Sequence, residues 1–194
     1  MPRVYYIFLG IFAGLAVSSG AFLFLWTLRD TSPEPPIVGK APAFTLTDAE
    51  NKTFSSEALR GRVWIAYFFF TSCAGPCPIL NRNVSRLMQE FAESPNFHAV
   101  GFSVDPETDT PEVLAKYGER YGADTSRWHM LTGPIEKITD LADHGFLVGG
   151  GETPLIHSTK FVLVDAQGNV RGYYDGTDDE EVAQLRNAVR RLLS

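Results

Sequence analysis

An apolar segment in the first half of the chain runs directly into the two cysteines of the protein. The segment is Val63–Phe70, and the turn that follows, Thr71–Pro78, contains Cys73 and Cys77. Apolar residues then recur at spacings of three or four, namely Leu80, Val84, Leu87, Met88 and Phe91. This period indicates an amphipathic helix. The sequence therefore predicts a buried strand, a cysteine turn and a helix in that order, with Cys77 at the start of the helix.

The cysteine turn is the first candidate for a functional site. In an open α/β sheet, ligands bind at loops that follow the carboxyl ends of strands. The free N–H groups and the dipole at a helix start favour a thiolate over a thiol. A Cys-x-x-x-Cys spacing is compatible both with chelation of one ion and with a disulfide, so both interpretations stay open. Two inert buried thiols are the less favoured alternative, because the turn contains Gly75 and Pro76 and is not part of an apolar face.

The amino-terminal segment has the composition of a membrane anchor. No charged residue occurs from Val4 to Trp26, and about 23 helical residues span roughly 34 Å, enough for a bilayer core of about 30 Å. A cleaved signal peptide is the alternative, but apolar residues continue through Ala21–Trp26, beyond a usual signal-peptide core. The sequence predicts one transmembrane helix within residues 1–28, with the rest of the chain outside the cytoplasm, in the periplasm or its equivalent.

The remainder divides into a spacer and one folded domain. Residues 29–43 contain Pro33, Pro35, Pro36 and Pro42 without apolar periodicity, which is typical of a semi-rigid linker. The domain is predicted over residues 44–194. A formal net charge of -6 argues against a nucleic-acid partner, because phosphates call for a basic surface.

Local patterns along the domain indicate strands that alternate with helices and a hairpin near the end. The predicted strands after a first hairpin, at Phe44–Thr47 and Lys52–Phe54, are Val63–Phe70, Phe97–Val104, Trp128–Leu131, Ile156–Asp165 and Val170–Tyr174. Three further helices are predicted to start at Thr110 and Pro111, at Pro134, and at a capping box formed by Thr177 and Glu180. The fold class is therefore α/β, a three-layer domain with a mixed central sheet.

With these elements placed, residues 38–194 resemble a thioredoxin-like domain and, more narrowly, the Sco/SenC family of membrane-anchored copper proteins that assist assembly of cytochrome c oxidase. The matching motifs are Cys73-x-x-x-Cys77-Pro78, Asp105-Pro106-x-x-Asp109-Thr110-Pro111 and His157-Ser158. The resemblance implies that Cys73, Cys77 and His157 bind a copper ion. Two departures are Ala74, where the family usually has proline, and Ile156, where it commonly has aspartate.

Ligand chemistry is consistent with that implication. Two soft thiolates select Cu(I) and an imidazole also accepts Cu(II), although zinc would accept the same three ligands. Structural or hydrogen-bonded roles are expected for the other histidines, His98, His129 and His144. Asp105 and Asp109 are interpreted as turn and helix-start residues and not as direct metal ligands.

Two functions follow as expectations. The first is a binding protein, not an enzyme: a copper metallochaperone that serves the copper-receiving subunit of cytochrome c oxidase, with other copper chaperones or thiol reductases as further candidate partners. The alternative is a membrane-tethered thiol–disulfide oxidoreductase that uses Cys73 and Cys77 as a redox-active pair. Oxidoreductases of the thioredoxin-like class usually carry Cys-x-x-Cys, and the spacing here is one residue longer.

Overall fold

The computed structural model describes residues 33–149 and 158–194 of the chain. The predicted anchor within residues 1–28, and His157 with its neighbours from 150 onwards, lie outside the described residues. Glu34–Ser194 form one compact unit.

The described residues form eight strands and four α-helices, with a short 3₁₀ helix at Ser56–Leu59 and a π-helical turn at Leu141–Gly145. The strands are β1 Gly39–Lys40, β2 Thr45–Asp48, β3 Thr53–Ser55, β4 Val63–Phe69, β5 Phe97–Ser103, β6 Trp128–Thr132, β7 Lys160–Val164 and β8 Asn169–Asp175. The helices are α1 Cys77–Glu90, α2 Pro111–Glu119, α3 Ile135–Asp140 and α4 Asp179–Leu193.

A single mixed sheet organises the unit, as predicted. Its strand order is β1-β8-β7-β4-β5-β6-β2-β3. Strands β4, β5 and β6 run parallel, whereas β7 pairs with β4 in the antiparallel direction. Strand β4 therefore lies inside the sheet and is covered on both faces, which explains why its sequence is continuously apolar and does not alternate with polar residues.

Two hydrophobic clusters, one on each face of the sheet, make the three layers. Ile65, Tyr67 and Phe69 of β4 pack in a cluster with residues of α1, α2 and α4. The alternate residues, Trp64 and Phe68, pack in the other cluster with α3, the π turn and the β2–β3 hairpin. Successive side chains of a strand point to opposite faces, so one apolar strand supplies both clusters.

Helix α2 begins as predicted. Thr110 is the N-cap and its hydroxyl accepts a hydrogen bond from the backbone N–H of Val113, with Pro111 in the first turn. A capping hydroxyl of this kind stabilises a helix by about 1 kcal/mol.

The predicted start of the last helix is wrong by one residue. Asp178, not Thr177, is the N-cap, and its carboxylate accepts the N–H groups of Glu180 and Glu181 at 2.9 Å each. Thr177 instead donates its hydroxyl to Asp175. Of two adjacent capping residues, the charged acceptor binds the free N–H groups more strongly.

The last hairpin strand was also predicted to begin too early. Strand β7 begins at Lys160, and Ser158 and Thr159 lie outside it. The hydroxyl of Thr159 donates instead to the carboxylate of Asp175. The helix predicted from Pro134 to about His144 is shorter too, because its last part is the π turn.

Residues 34–43, which the sequence assigned to a spacer, lie along the edge of the sheet. Strand β1 pairs with β8, and the buried side chain of Arg171 holds the segment before it by donating to the carbonyl of Pro35 at 2.7 Å and to Glu34 at 2.8 Å. Proline-rich sequence predicts extended backbone, but the partner that fixes this backbone is about 137 residues away and leaves no local signal.

Two histidines meet on the face of the sheet beneath the β2–β3 hairpin. His98 Nδ1 lies 3.4 Å from His129 Nε2, with the rings 15° from parallel, and the ring of Phe54 covers His129. The hydrogen-bonded role predicted for both is confirmed. Burial lowers the pKa of His98, with nearby Arg62 acting in the same direction. Burial, with His98 as the next cause, lowers the pKa of His129 to about 4, although Asp48, Asp124 and Glu50 oppose the shift.

We expect this histidine pair to make the folded state sensitive to acid. Because the pKa of His129 is depressed to about 4, its contribution to stability is fully present above the unfolded pKa of about 6.5 and is lost as the pH falls towards 4. The loss from His129 should be up to about 3 kcal/mol, at 1.36 kcal/mol per unit. Urea unfolding between pH 7.5 and 4 measures it. The His129→Phe variant should show a clearly shallower dependence in this window, and equal slopes would contradict the assignment.

Candidate dithiol metal site

The cysteine turn connects the carboxyl end of β4 to α1, as the sequence predicted. Cys77 is the first residue of α1, and Pro78 occupies the first turn, where a missing N–H group breaks no helical hydrogen bond. The backbone N–H of Cys73 donates to the carbonyl of Phe70 at 3.3 Å. Cys77 is buried, with only 4% of its surface exposed, whereas Cys73 is half-buried. The two sulfurs therefore lie at the boundary between the core and solvent, with Cys73 on the solvent side.

The two thiols differ in acidity. Burial raises the pKa of the Cys77 thiol to about 12. Partial burial also acts to raise the pKa of Cys73, but hydrogen bonds from the Cys77 thiol and from the backbone N–H groups of Cys77 and Gly75 outweigh it and hold that pKa below its ordinary value. Cys73 is thus the more readily ionised thiol, with the proton of Cys77 shared towards it.

A buried carboxylate fixes the beginning of the turn. Asp109, which is fully buried, accepts a hydrogen bond from the backbone N–H of Thr71 at 3.0 Å and from its hydroxyl at 2.5 Å. Its other oxygen accepts from the hydroxyl of Ser103 at 2.5 Å. The predicted turn role holds for Asp105, whose carbonyl accepts from the N–H groups of Thr108 and Asp109. Asp109 itself links the Asp-Pro loop to the cysteine turn.

A buried amide fixes the end of the turn. Asn81, with no exposed surface, donates from Nδ2 to the carbonyl oxygen of Cys77 at 2.9 Å. Its Oδ1 accepts from the hydroxyl of Tyr67 at 2.8 Å, and that hydroxyl accepts from Trp128 Nε1 at 2.9 Å. The first turn of α1 is therefore hydrogen-bonded to the middle of β4 through the core.

Sequence reasoning missed both of these supporting side chains, although one of them had a signal. Asn81 lies four residues after Cys77 and three before Val84, so a polar residue interrupts the apolar stripe of the helix. Such a residue is buried and must be hydrogen-bonded. Asp109 had no comparable signal, because an aspartate before Thr-Pro is also an ordinary turn residue.

The candidate ligands are only partly described. Cys73 and Cys77 lie together, and His157 is outside the described residues. His98 and His129 bond to each other, and His144 is exposed on the π turn with Nδ1 3.0 Å from Asp140. Over residues 33–149 and 158–194, no three His, Cys, Asp or Glu side chains converge on a position that could hold a metal ion. Over the same ranges no helix is long and apolar enough to cross a bilayer.

These features define a class of protein. A mixed sheet covered by helices on both faces, with two cysteines where the central strand enters a helix, is a thioredoxin-like domain that carries a dithiol. Solved structures agree. A SCO1/SenC family lipoprotein from Bacillus anthracis is 33% identical with a TM-score of 0.73, over 86% of this chain and 99% of that one.

A second structure, of BsSco, was described as a disulfide switch in a member of the Sco family of cytochrome c oxidase assembly proteins. It is 29% identical with a TM-score of 0.72, over 84% of this chain and 98% of that one.

Sequence relatives identify the family. A SCO1 protein homologue from Bacillus subtilis is 31% identical over 92% of this chain and 95% of its own length. A protein of Stutzerimonas stutzeri, named as a candidate copper-binding protein, is 31% identical over 68% of this chain and 67% of its own length. The family model described as SCO1/SenC matches residues 33–194. The chain belongs to the SCO1/SenC family.

The difference between the two thiols predicts selective alkylation. In the reduced protein at pH 7, limiting iodoacetamide should modify Cys73 at least about tenfold faster than Cys77, because the thiolate is the reactive form and Cys77 is both buried and weakly acidic. Peptide mass spectrometry after brief labelling measures the ratio. In a Cys77→Ala variant the rate at Cys73 should fall, since the hydrogen bond from the Cys77 thiol is lost. Equal labelling of both cysteines would show that the assigned acidities are wrong.

Proposed function

We propose that this protein is a membrane-anchored copper metallochaperone that assists assembly of the copper centre of cytochrome c oxidase, with copper carried by Cys73, Cys77 and His157. The observation that supports it most directly is the thiol pair itself. Cys73 and Cys77 are close enough for one to hydrogen-bond the other, and the more acidic thiol is on the solvent side. Two thiolates presented together at the surface of a rigid core suit the capture of a soft cation.

The chemistry of the pair suits a cargo ion that must be both bound and released. Cu(I) prefers thiolate ligands, and binding requires that both thiols lose their protons. Cys73 ionises readily, whereas burial raises the pKa of Cys77 to about 12, so the incoming cation has to displace the Cys77 proton. That cost lowers the net affinity of the site and makes it dependent on pH, which favours transfer to a partner over permanent retention.

His157 is proposed as the third ligand on the strength of its motif, and the strand after it is consistent with that role. Ala66 of β4 pairs with Val162 of β7 in the antiparallel direction, so the beginning of β7 lies beside the end of β4, which leads into the cysteine turn. His157 precedes Lys160 by three residues, and three residues span at most about 11 Å. Its distance along the chain therefore leaves the imidazole within reach of the cysteine end of the sheet.

Relatives support the choice of partner and cargo. BsSco belongs to a family of cytochrome c oxidase assembly proteins, and the Stutzerimonas stutzeri relative is named for copper binding. We assign the same cargo to this chain, the copper-receiving subunit of the oxidase as its main partner, and other copper chaperones or thiol reductases as further ones. The domain would act outside the cytoplasm, where copper centres of such oxidases are assembled and where thiol pairs meet oxidants.

A membrane-tethered thiol–disulfide oxidoreductase is the second candidate. The observation in its favour is the unequal acidity of the two thiols, since an attacking thiolate next to a protonated resolving thiol is what disulfide exchange requires. The copper role remains the better supported one, because the oxidoreductase reading leaves the His157 motif without a purpose.

Substitution of His157 separates the two functions. In cells that depend on this protein, Cys73→Ser, Cys77→Ser and His157→Ala should each lower the activity and copper content of cytochrome c oxidase by about tenfold or more, because loss of any ligand weakens the site. His144→Ala is the matched control, since that histidine is exposed and bonded only to Asp140 among its described neighbours, and it should behave as wild type. Added copper should partly relieve the deficit by mass action.

Normal oxidase in the His157→Ala strain, with failure confined to the cysteine variants, would reject the copper role and leave the oxidoreductase in its place. Copper binding by the purified reduced protein provides an independent check. One copper ion should bind per reduced chain, and prior oxidation to the disulfide should abolish binding, because a disulfide offers no thiolate. Equal binding by the oxidised protein would refute the cysteine assignment.

The proposed anchor makes a separate prediction about the mature protein. The uncharged run from Val4 to Trp26 should remain attached and keep the protein in the membrane fraction after a high-salt wash. Terminal sequencing of the native protein tests this. A mature chain that starts between Ser18 and Ala21 would identify the segment as a signal peptide instead.

A further inference from the structure

Asp109 occupies a position that the copper role alone does not explain. Its carboxylate has no exposed surface, yet all of its side-chain hydrogen bonds in the described part of the chain come from Thr71 and Ser103. Burying a carboxylate costs several kcal/mol unless donors compensate it. A costly group whose contacts go to the start of the cysteine turn indicates a role in that turn.

The contacts tie three segments together at one end of the sheet. Thr71 follows β4 and precedes Cys73 by two residues, and Ser103 is the last residue of β5. The hydroxyl of Ser103 also accepts the backbone N–H of Asp105 at 3.2 Å. Through Asp109, the ends of two parallel strands and the Asp-Pro loop are held in one hydrogen-bonded unit.

The two ends of the cysteine turn are fixed in different ways. At its end, Cys77 belongs to α1 and its carbonyl also accepts from Asn81. At its beginning, beyond the last residue of β4, both the N–H and the hydroxyl of Thr71 donate to Asp109. The position of Cys73 relative to Cys77 therefore depends on the carboxylate of Asp109.

We propose that Asp109 is a positioning residue that holds Cys73 beside Cys77 and thereby favours closure of the pair into a disulfide. The inference rests on the proposed role of the cysteine turn as the functional site. In the reaction, Cys73 and Cys77 together lose two electrons and two protons and form one S–S bond, while a disulfide oxidant such as oxidised glutathione accepts them and is cleaved to two thiols.

The physical basis is the effective concentration of one thiol at the other. When the beginning of the turn is held, the two sulfurs stay close and closure costs little further chain entropy. Without Asp109, the buried N–H of Thr71 loses its acceptor, which costs about 1 to 3 kcal/mol unless the segment moves to reach water. Movement of Thr71 carries Cys73 away from Cys77, so the dithiol form becomes relatively more stable.

Asp109→Asn tests the proposal, because one oxygen that accepts hydrogen bonds is replaced by a donor group. The full-length protein in detergent, free of copper, is equilibrated in glutathione buffers and the oxidised fraction is measured by thiol trapping. We expect the equilibrium to shift about tenfold towards the dithiol, which corresponds to about 30 mV for a two-electron couple.

Asp165→Asn is the matched control. Asp165 is also a buried carboxylate that organises a turn, but it lies after β7 at the opposite end of the sheet and bonds to Gln167, Asn169 and Arg171. Its variant should stay within about twofold of wild type. A wild-type equilibrium in folded Asp109→Asn, or an equal shift in Asp165→Asn, would overturn the proposal.

A second pair of variants covers the case in which Asp109→Asn does not fold. Thr71→Val removes the hydroxyl that donates to Asp109 and should shift the equilibrium in the same direction, whereas Thr71→Ser keeps both donors and should restore the wild-type value. If Thr71→Ser and Thr71→Val behave alike, the contact does not position the cysteines. Because the assay contains no copper, the result stands whether or not copper binding is confirmed.

Discussion

Burial of β4 on both faces is the constraint on which the rest of the molecule depends. Every residue of Val63–Phe69 is buried, with Ile65 and Phe69 in one cluster and Trp64 and Phe68 in the other. At about 25 cal/mol per Å² of apolar surface, such a strand stabilises the fold by many kcal/mol and cannot shift its register by one residue without exchanging the two faces. The position of the cysteine turn at the end of the strand is fixed as a consequence.

The same burial explains why two cysteines of identical chemistry differ. The chain leaves the core between Phe69 and Cys77 and re-enters it with α1, so Cys77 lies at the point of re-entry and Cys73 outside it. Desolvation disfavours the thiolate of Cys77, and hydrogen bonds from the turn favour the thiolate of Cys73. A pair with one ionised and one protonated member follows from where the strand ends, without any charged side chain in the turn itself.

What could be predicted from the sequence was local. The apolar strand, the cysteine turn, the β2–β3 hairpin and the Thr110 cap depend on neighbours within a few residues, and all were predicted. Local signals failed where a partner is distant in sequence: Arg171 fixes Glu34 and Pro35 from the far end of the chain. The cap at Asp178 was missed for another reason, because Thr177 satisfies the same pattern and its hydroxyl is used by Asp175. The predicted ligand pair at Cys73 and Cys77 was recognisable from spacing alone, but the buried acceptor that holds Thr71 was not.

Two buried carboxylates in this domain are compensated differently, and the difference bears on the site. Asp165 is paired with the guanidinium of Arg171 at 2.9 Å, so its charge is neutralised at the far end of the sheet. The donors to Asp109 are a backbone N–H and two hydroxyls, all uncharged, so its negative charge persists close in sequence to Cys73. A fixed negative charge of this kind disfavours a second thiolate nearby, whereas a neutral disulfide or a thiolate pair neutralised by a bound cation does not meet the same repulsion. The contact that positions the turn therefore also disfavours the bare dithiolate, the one state of the pair that would be useful for neither proposed function.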